Sequence, residues 1–320
     1  MQPAFAESRQ GLAFSLGAYA IWGLIMPVYM KLLDHVSPLE IVAHRIIWAV
    51  PLAIAILWWQ GSLASAWRHF GNLRTLALAA LTATLISGNW GVYVYAIVSN
   101  QAVDAALGYY INPLVNVALA AVFLSERPTR LQAIAIGLAA IGVAVMTVKA
   151  GGLPWISLVL ACSFGTYGLL RKMVPVGASE GFFLEVVILT VPALLTLFWL
   201  APERHFLTNG VETAMLIGAG PVTAIPLILY AAGARLLHYT TVGILQYLVP
   251  TLLVLTAIFL FGEPFSSWQL VAFAFIWSAL AIYTYSLFGR RRPPSVPTRQ
   301  KAASGMVPAV STCGSDEARL

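Results

Sequence analysis

The hydrophobic positions of this chain fall into ten long stretches that are separated by short polar segments. Each stretch has roughly 20 residues, the length that a helix needs to cross a hydrocarbon core of about 30 Å at about 1.5 Å per residue. The segments between them are too short to hold a soluble catalytic domain. The pattern therefore predicts an all-α membrane protein with ten transmembrane helices. The predicted spans are 11–30, 39–60, 75–98, 104–124, 131–149, 153–171, 180–200, 212–234, 241–261 and 267–288.

The composition agrees with this pattern. Hydrophobic residues make up 60% of the 320 residues and charged residues only 9%, and the mean hydropathy is +0.84. A water-soluble domain of this size could not cover its surface with so few charges. The two cysteines, Cys162 in a span and Cys313 near the end, suggest neither a disulfide nor a metal site.

The arginines and lysines predict the orientation. If both termini are cytoplasmic, most basic residues lie on the inner side, as the positive-inside rule requires. The short N-terminal segment 1–10 and the basic tail 289–320 are then cytoplasmic. The tail is rich in proline, serine and charge and is predicted to be disordered. The basic residues there are expected to contact anionic lipid and not nucleic acid. The inner side holds Arg9, Arg68, Arg74, Arg127, Arg130, Arg171, Lys172, Arg235 and Arg290 to Arg292, and the outer side Lys31, Lys149 and Arg204.

A motif in the fourth predicted span recurs in the ninth. A proline is followed after 13 residues by a glutamate and after 6 more by a glutamine in both places. The two copies are five spans apart and therefore have opposite orientations, which is how many secondary transporters are built. The sequence therefore predicts two inverted repeats of five helices, 11–149 and 150–288. The recurring residues are Pro113, Glu126 and Gln132, then Pro250, Glu263 and Gln269.

Ionisable residues inside predicted spans are the first candidates for function, because they are costly to place in a membrane. Glu40, His44 and Trp48 follow one another at intervals of four residues on one face of the second span, with Arg45 beside them. Two interpretations remain open. Glu40 and Arg45 neutralise each other near the interface, or the group binds a solute, with Glu40 and His44 as candidates for proton or charge coupling.

Other polar and aromatic residues in the spans extend this candidate site. Buried amides without partners would cost several kcal/mol, so they must face water, a ligand or one another. The alternative is that they only join helices to one another. For Glu185, a candidate for coupling, the alternative is an ion pair with Arg171, Lys172 or Arg235. The remaining candidates for solute binding are Asn89, Trp90, Tyr93, Tyr109, Asn112, Asn116, Tyr167, Gln246 and Tyr247.

The repeated prolines and glutamates have simpler explanations. Pro113 and Pro250 are expected to bend their helices, either as hinges or as static kinks. Glu126 and Glu263 each lie just before the next predicted helix, where a carboxylate stabilises the helix N-terminus. No Gly-x-Ser-x-Gly or His-Glu-x-x-His motif occurs. No catalytic residue, metal site or cofactor is therefore predicted.

Several short motifs lie along the predicted spans. They are Tyr19-x-x-Trp22-Gly23, Glu40-Ile41-x-x-His44-Arg45-x-x-Trp48, Gly88-Asn89-Trp90, Leu107-Gly108-Tyr109-x-Ile111-Asn112-Pro113-Leu114-Val115-Asn116, Tyr167-Gly168-Leu169-x-Arg171-Lys172, Gln246-Tyr247-x-x-Pro250-Thr251 and Phe273-Ala274-Phe275-Ile276-Trp277. Together they resemble the RarD branch of the EamA family, in the drug/metabolite transporter superfamily. The resemblance covers about residues 9–288, although Ser125-Glu126-Arg127 departs from the usual Gly-Glu. It implies a ten-helix inner-membrane permease with two inverted EamA repeats around a central cavity, in a branch labelled for chloramphenicol sensitivity.

These observations predict a secondary transporter of the bacterial inner membrane that works by alternating access. Its expected partners are the lipid bilayer and a small amphipathic solute, such as an amino acid or an amphenicol drug. Arg45 would bind an anionic group, and His44 can exchange a proton near neutral pH. An uncoupled facilitator and a flippase for lipids or lipid-linked metabolites are the alternatives. The sequence does not predict the oligomeric state.

Overall fold

The computed structural model describes residues 8–123, 128–150, 152–171, 174–200, 205–237 and 245–288. All the regular secondary structure in these ranges is helical. We number the helices α1 to α11 in chain order. They are α1 Arg9–Lys31, α2 Pro38–Trp59, α3 Leu63–Arg68, α4 Leu73–Val98, α5 Ala102–Phe123, α6 Arg130–Ala150, α7 Trp155–Arg171, α8 Ala178–Leu195, α9 Gly210–Leu236, α10 Leu248–Leu260 and α11 Ser267–Phe288.

Within the described ranges, each predicted apolar stretch contains a helix, and most ends lie within three residues of the prediction. Seven helices of this part of the chain are long and apolar enough to cross a membrane, while α7 and α10 are shorter apolar helices. The short helix α3, on the connection between α2 and α4, was not predicted. The predicted tail 289–320 and Glu126 lie outside the described residues.

Side chains that cap helix N-termini explain one part of the repeated motif. The side-chain oxygen of Gln132 accepts a hydrogen bond of 2.9 Å from the backbone N–H of Thr129, just before α6. Gln269 accepts one of 2.7 Å from the N–H of Ser266, just before α11. Both are the returning bond of a capping box, in which Gln or Glu satisfies an N–H that the helix leaves free. The repeated glutamine therefore fixes where the last helix of each half begins.

Its place in the sequence predicted that Glu263 stabilises the N-terminus of the following helix. Glu263 does stabilise a helix N-terminus, but that of a different helix. Its two carboxylate oxygens accept hydrogen bonds of 2.8 Å and 3.0 Å from the backbone N–H groups of Ala102 and Val103. These residues begin α5, in the other half of the chain. A carboxylate there satisfies two free donors and also interacts favourably with the helix dipole.

The helices of the two halves pack extensively against each other. Helix α2 contacts α8 and α9, α4 contacts α8, α5 contacts α10, and α6 packs along α11. The contact between α2 and α9 is close because Gly220 has no side chain, and a Cβ at this position would overlap the backbone of Trp48. This approach brings α9 against the part of α2 that carries Arg45.

Candidate functional site

Arg45 lies in the interior, on α2, with an exposed fraction of only 1%. Its Nε donates a hydrogen bond of 3.0 Å to the hydroxyl of Thr223 on α9. The guanidinium also lies over the Trp90 ring of α4, 5.0 Å from the ring centroid, which is a cation–π geometry. Helices α2, α4 and α9 thus meet at this cation, which contacts a neutral hydroxyl and an aromatic face.

Several buried polar atoms on α2, α4 and α5 lack partners. The phenol groups of Tyr93 and Tyr109 lie near the guanidinium of Arg45. Arg45 Nη1, Tyr93 Oη and Asn112 Oδ1 are all buried, and none has a hydrogen-bond partner among the described residues. Buried polar atoms are normally hydrogen-bonded. Those that are not mark a place where a ligand or water can supply the missing contact.

His44 and Trp48 lie together on α2, as their spacing predicted. Trp48 Nε1 donates a hydrogen bond of 3.2 Å to His44 Nδ1, so this histidine nitrogen is the acceptor. The other ring nitrogen, Nε2, is buried without a partner among the described residues. Phe206, from the segment before α9, packs on His44 with ring centroids 4.7 Å apart. This segment therefore covers the His44 side of the site.

Glu40 does not pair with Arg45, which was one of the two interpretations of their spacing. One carboxylate oxygen accepts hydrogen bonds from the backbone N–H groups of His205 (2.9 Å) and Phe206 (3.1 Å). The other lies 3.1 Å from His205 Nδ1. Glu40 is fully buried, and these contacts fasten the segment that carries Phe206 to the start of α2.

Glu185, on α8, is buried with partners. Its Oε1 lies 2.8 Å from the hydroxyl of Thr82 on α4 and 3.4 Å from Nε of Arg171 at the end of α7. Its Oε2 accepts a hydrogen bond of 3.1 Å from the hydroxyl of Tyr167. The ion pair with Arg171 was one of the predicted alternatives. Gly181 makes room for it, because a Cβ there would overlap the guanidinium of Arg171.

A row of aromatic rings connects the surroundings of Arg45 with Glu185. The centroids of Tyr93 and Tyr109 are 6.0 Å apart, those of Tyr109 and Phe164 6.4 Å, and those of Phe164 and Tyr167 6.0 Å. Tyr167 then donates to Glu185. The site thus has a cation at one end, an ion-paired carboxylate at the other, and aromatic rings between them.

The structure does not bring all the candidate residues into this row. The side-chain NH₂ of Asn89 donates to the carbonyl of Leu160 and the hydroxyl of Ser163 on α7, at 3.1 Å and 2.9 Å. It therefore joins α4 to α7. Asn116 and Gln246 are exposed. Tyr247 lines an open pocket of about 410 Å³ between α5, α10 and α11, together with Tyr110, Thr251, Trp277, Leu280, Ala281 and Thr284.

The two repeated prolines occupy different places in their helices. Pro113 lies inside α5, where its ring prevents one backbone hydrogen bond. Pro250 is the third residue of α10, in the first turn, where no backbone bond needs to be broken. Residues 238–244, which precede this part, lie outside the described residues.

Sequence reasoning did not find Thr82, Thr223, Phe164, His205 and Phe206. Single threonines and phenylalanines are common in membrane helices, so they give no signal by themselves. One signal was present: Glu40 and Glu180 each occupy the third position of their helix, and five residues later come Arg45 and Glu185. Aligning these helices would have identified Arg45 and Glu185 as equivalent positions.

Long apolar helices around a buried polar site define a multi-pass membrane protein of the transporter type. Comparison with known proteins agrees: the chain matches the EamA-like transporter family over residues 9–148. The chain belongs to this family and, within it, to the RarD type.

Three relatives show how closely the chain follows the family. An uncharacterized transporter of Pseudomonas aeruginosa is 44% identical over 288 residues, which cover 88% of this chain and 95% of that protein. Protein RarD of Escherichia coli is 39% identical, with 89% and 98% covered. A protein named chloramphenicol-sensitive protein RarD, also from Pseudomonas aeruginosa, is 34% identical, with 86% and 93% covered.

One solved structure, titled only "Crystal structure of protein", has a similar fold. It has a TM-score of 0.57 and 17% sequence identity, and the match covers 88% of this chain and 99% of that one. At this identity the likeness concerns the fold alone.

Proposed function

We propose that the chain is an inner-membrane permease that carries a small amphipathic solute by alternating access. The ten apolar stretches are its spans, and residues 11–149 and 150–288 form two inverted repeats of five helices. Both termini face the cytoplasm. The solute binds between Arg45 and the aromatic row, and the two repeats rock to open one face of the membrane at a time.

The observation that carries this proposal is the matched placement of buried charged residues in the two halves. Arg45 on α2 and Glu185 on α8 both follow an N-terminal glutamate by five residues. Each contacts a threonine from the other half: Thr223 for Arg45 and Thr82 for Glu185. Such crossed contacts are expected when two inverted repeats enclose one site near the middle of the membrane.

The burial of the site supports alternating access. Arg45 and Glu185 have exposed fractions of 1% and 2%, so a solute reaches them only after helices move apart. Phe206, fastened through Glu40, is our proposed outer gate because it covers His44. Pro113 is a proposed hinge because it interrupts the backbone bonding of α5. We propose Pro250 as its counterpart from its matching place in the repeated motif, although it interrupts no backbone bond at the start of α10.

The chemistry of the site suggests the solute. A buried guanidinium binds carboxylates and other hydrogen-bond acceptors, and the aromatic row offers flat apolar contact. Aromatic carboxylates, amino acids and amphenicol drugs offer such groups and are the first candidates. The name of one relative records chloramphenicol sensitivity for that protein, which makes an amphenicol a natural test compound.

Flux into proteoliposomes tests the proposal. The purified protein is reconstituted, and uptake of labelled aromatic carboxylates, amino acids and chloramphenicol is compared with that into protein-free liposomes, with and without a pH gradient. We expect protein-dependent uptake of at least one solute. Uptake equal to that of protein-free liposomes for every solute, by protein shown to be folded, would contradict the permease.

The same assay examines coupling through His44 and Glu185. If the solute accumulates against its concentration gradient and His44→Ala or Glu185→Gln abolishes this accumulation, proton coupling through the substituted residue is supported. Equilibration that is indifferent to pH makes the protein a facilitator and gives both residues a packing role. Glu212→Gln is the matched control for Glu185→Gln, because Glu212 contacts Thr208 and His35 at the exposed start of α9.

A further inference from the structure

We infer that the solute is a small organic monoanion, whose carboxylate binds Arg45 and Tyr93 while its apolar part lies along the aromatic row. This inference rests on the proposed function and narrows its solute. It favours monocarboxylates over neutral drugs, organic cations and zwitterions.

The first step is that Arg45 has no counter-ion among the described residues. No carboxylate oxygen in that part of the chain lies within 4.0 Å of its guanidinium. The guanidinium contacts the Thr223 hydroxyl and the Trp90 ring, and its Nη1 is buried without a partner among the described residues. A buried, uncompensated charge is strongly unfavourable, so such groups are normally paired. An anion from the solute would supply the missing charge.

The second step is that the two buried carboxylates of the candidate site are already engaged. Glu40 is bound to His205 and to two backbone N–H groups. Glu185 is bound to Thr82, Tyr167 and Arg171. Neither is free to receive the ammonium group of a zwitterion. A solute of net charge −1 can therefore pair with Arg45 without bringing an ammonium group that lacks a partner.

The third step concerns the shape of the anionic group. Tyr93 Oη is also buried without a partner among the described residues, and its phenol lies near Arg45. A carboxylate has two oxygens, one for the guanidinium and one for a phenol O–H donor. The guanidinium alone would accept many anions, but the two donors together suit a carboxylate.

The fourth step concerns the apolar part of the solute. The ring centroids of Tyr93 and Tyr109 are 6.0 Å apart, and those of Tyr109 and Phe164 are 6.4 Å apart. The Trp90 ring lies against the guanidinium itself. A flat ring two or three carbons from the carboxylate can contact these side chains while the carboxylate remains on Arg45. The compound 3-phenylpropionate has this form.

Four compounds with one skeleton and different charges test the inference. They are 3-phenylpropionate (−1), 3-phenylpropanamide (neutral), phenylalanine (zwitterion) and 3-phenylpropylamine (+1). Binding to the full chain in detergent is measured by calorimetry at pH 7, and counterflow is measured in proteoliposomes. We expect the carboxylate to bind about tenfold to a hundredfold more tightly than the amide, the range for one or two charge-assisted hydrogen bonds. We expect phenylalanine to bind more weakly than the carboxylate, because its ammonium group finds no free carboxylate in the site.

Variants then assign the effect to Arg45. Arg45→Gln should remove the preference for the carboxylate over the amide, whereas Arg45→Lys should keep part of it because it keeps the charge. Arg68→Gln is the matched control, since Arg68 lies at the exposed end of α3, and it should leave the preference unchanged. If Arg45→Gln does not fold, the four compounds on the unmodified chain still decide the question.

The possible failures are distinct. If the amide or the zwitterion binds and moves as well as the carboxylate, the inference is overturned while the permease stands. If the carboxylate preference persists in folded Arg45→Gln, the role of Arg45 is refuted. If the carboxylate binds with the expected preference but no solute crosses the membrane, the monoanion site is supported and the permease is contradicted.

Discussion

Replacing Thr223 with valine tests how strongly the interior depends on the contact between Arg45 and α9. Valine has nearly the shape of threonine but cannot accept the hydrogen bond from Arg45 Nε. That nitrogen would be left buried without an acceptor, because Arg45 is only 1% exposed. Losing one hydrogen bond to a charged group costs about 1.5–3 kcal/mol of the free energy of unfolding.

Thr190→Val is the matched control for this prediction. The Thr223 hydroxyl donates to the carbonyl of Ala219, four residues earlier, and the Thr190 hydroxyl donates in the same way to Val186, both at 2.8 Å. Each substitution therefore loses the same bond within its helix, and only Thr223→Val also affects Arg45. Reversible unfolding in mixed micelles of increasing denaturing-detergent content measures both. Equal destabilisation by the two variants would refute the reasoning.

Two further substitutions test other parts of the site. Gly181→Ala should displace the guanidinium of Arg171 and lower the free energy of unfolding by about 1–3 kcal/mol. Gly168→Ala, where a Cβ has open space, should be neutral or stabilising by up to about 1 kcal/mol. The same unfolding assay compares the two variants, and equal effects would disprove the steric argument. Glu40→Ala should release the segment at His205 and increase the rate at which a protease cleaves there. Glu40→Gln keeps an acceptor oxygen and should have a smaller effect on this rate. Unchanged cleavage in both variants would show that other contacts hold the segment.

The helices could be predicted almost completely because their signals are local. Twenty apolar residues in sequence can only be helical in a bilayer, and Gln132 and Gln269 mark where α6 and α11 begin. The helix that Glu263 caps could not be predicted in the same way. Its partners, Ala102 and Val103, lie about 160 residues earlier, and nothing in the sequence near Glu263 points to them.

The candidate site was predictable only in part for the same reason. A charged residue in a long apolar stretch stands out, so Arg45 and Glu185 were found. The partner of Glu40 could not be inferred from spacing, since Arg45 is near it in sequence while His205 is near it in the fold. Asn89 illustrates a different limit: its residue type suits both a solute site and a helix contact, and only the acceptors on α7 identify the contact.

The crossed contact between Arg45 and Thr223 has a consequence for the synthesis of the protein. The two residues are 178 positions apart, so the ribosome has not yet made α9 when α2 leaves the translocon. An arginine near the centre of an inserting helix costs about 2.5–3.5 kcal/mol, and α2 is apolar enough to cross a membrane even with Arg45 in it. Until α9 arrives, nascent chains must keep Arg45 hydrated or shielded, and chains that end before Thr223 should be substrates for membrane quality-control proteases.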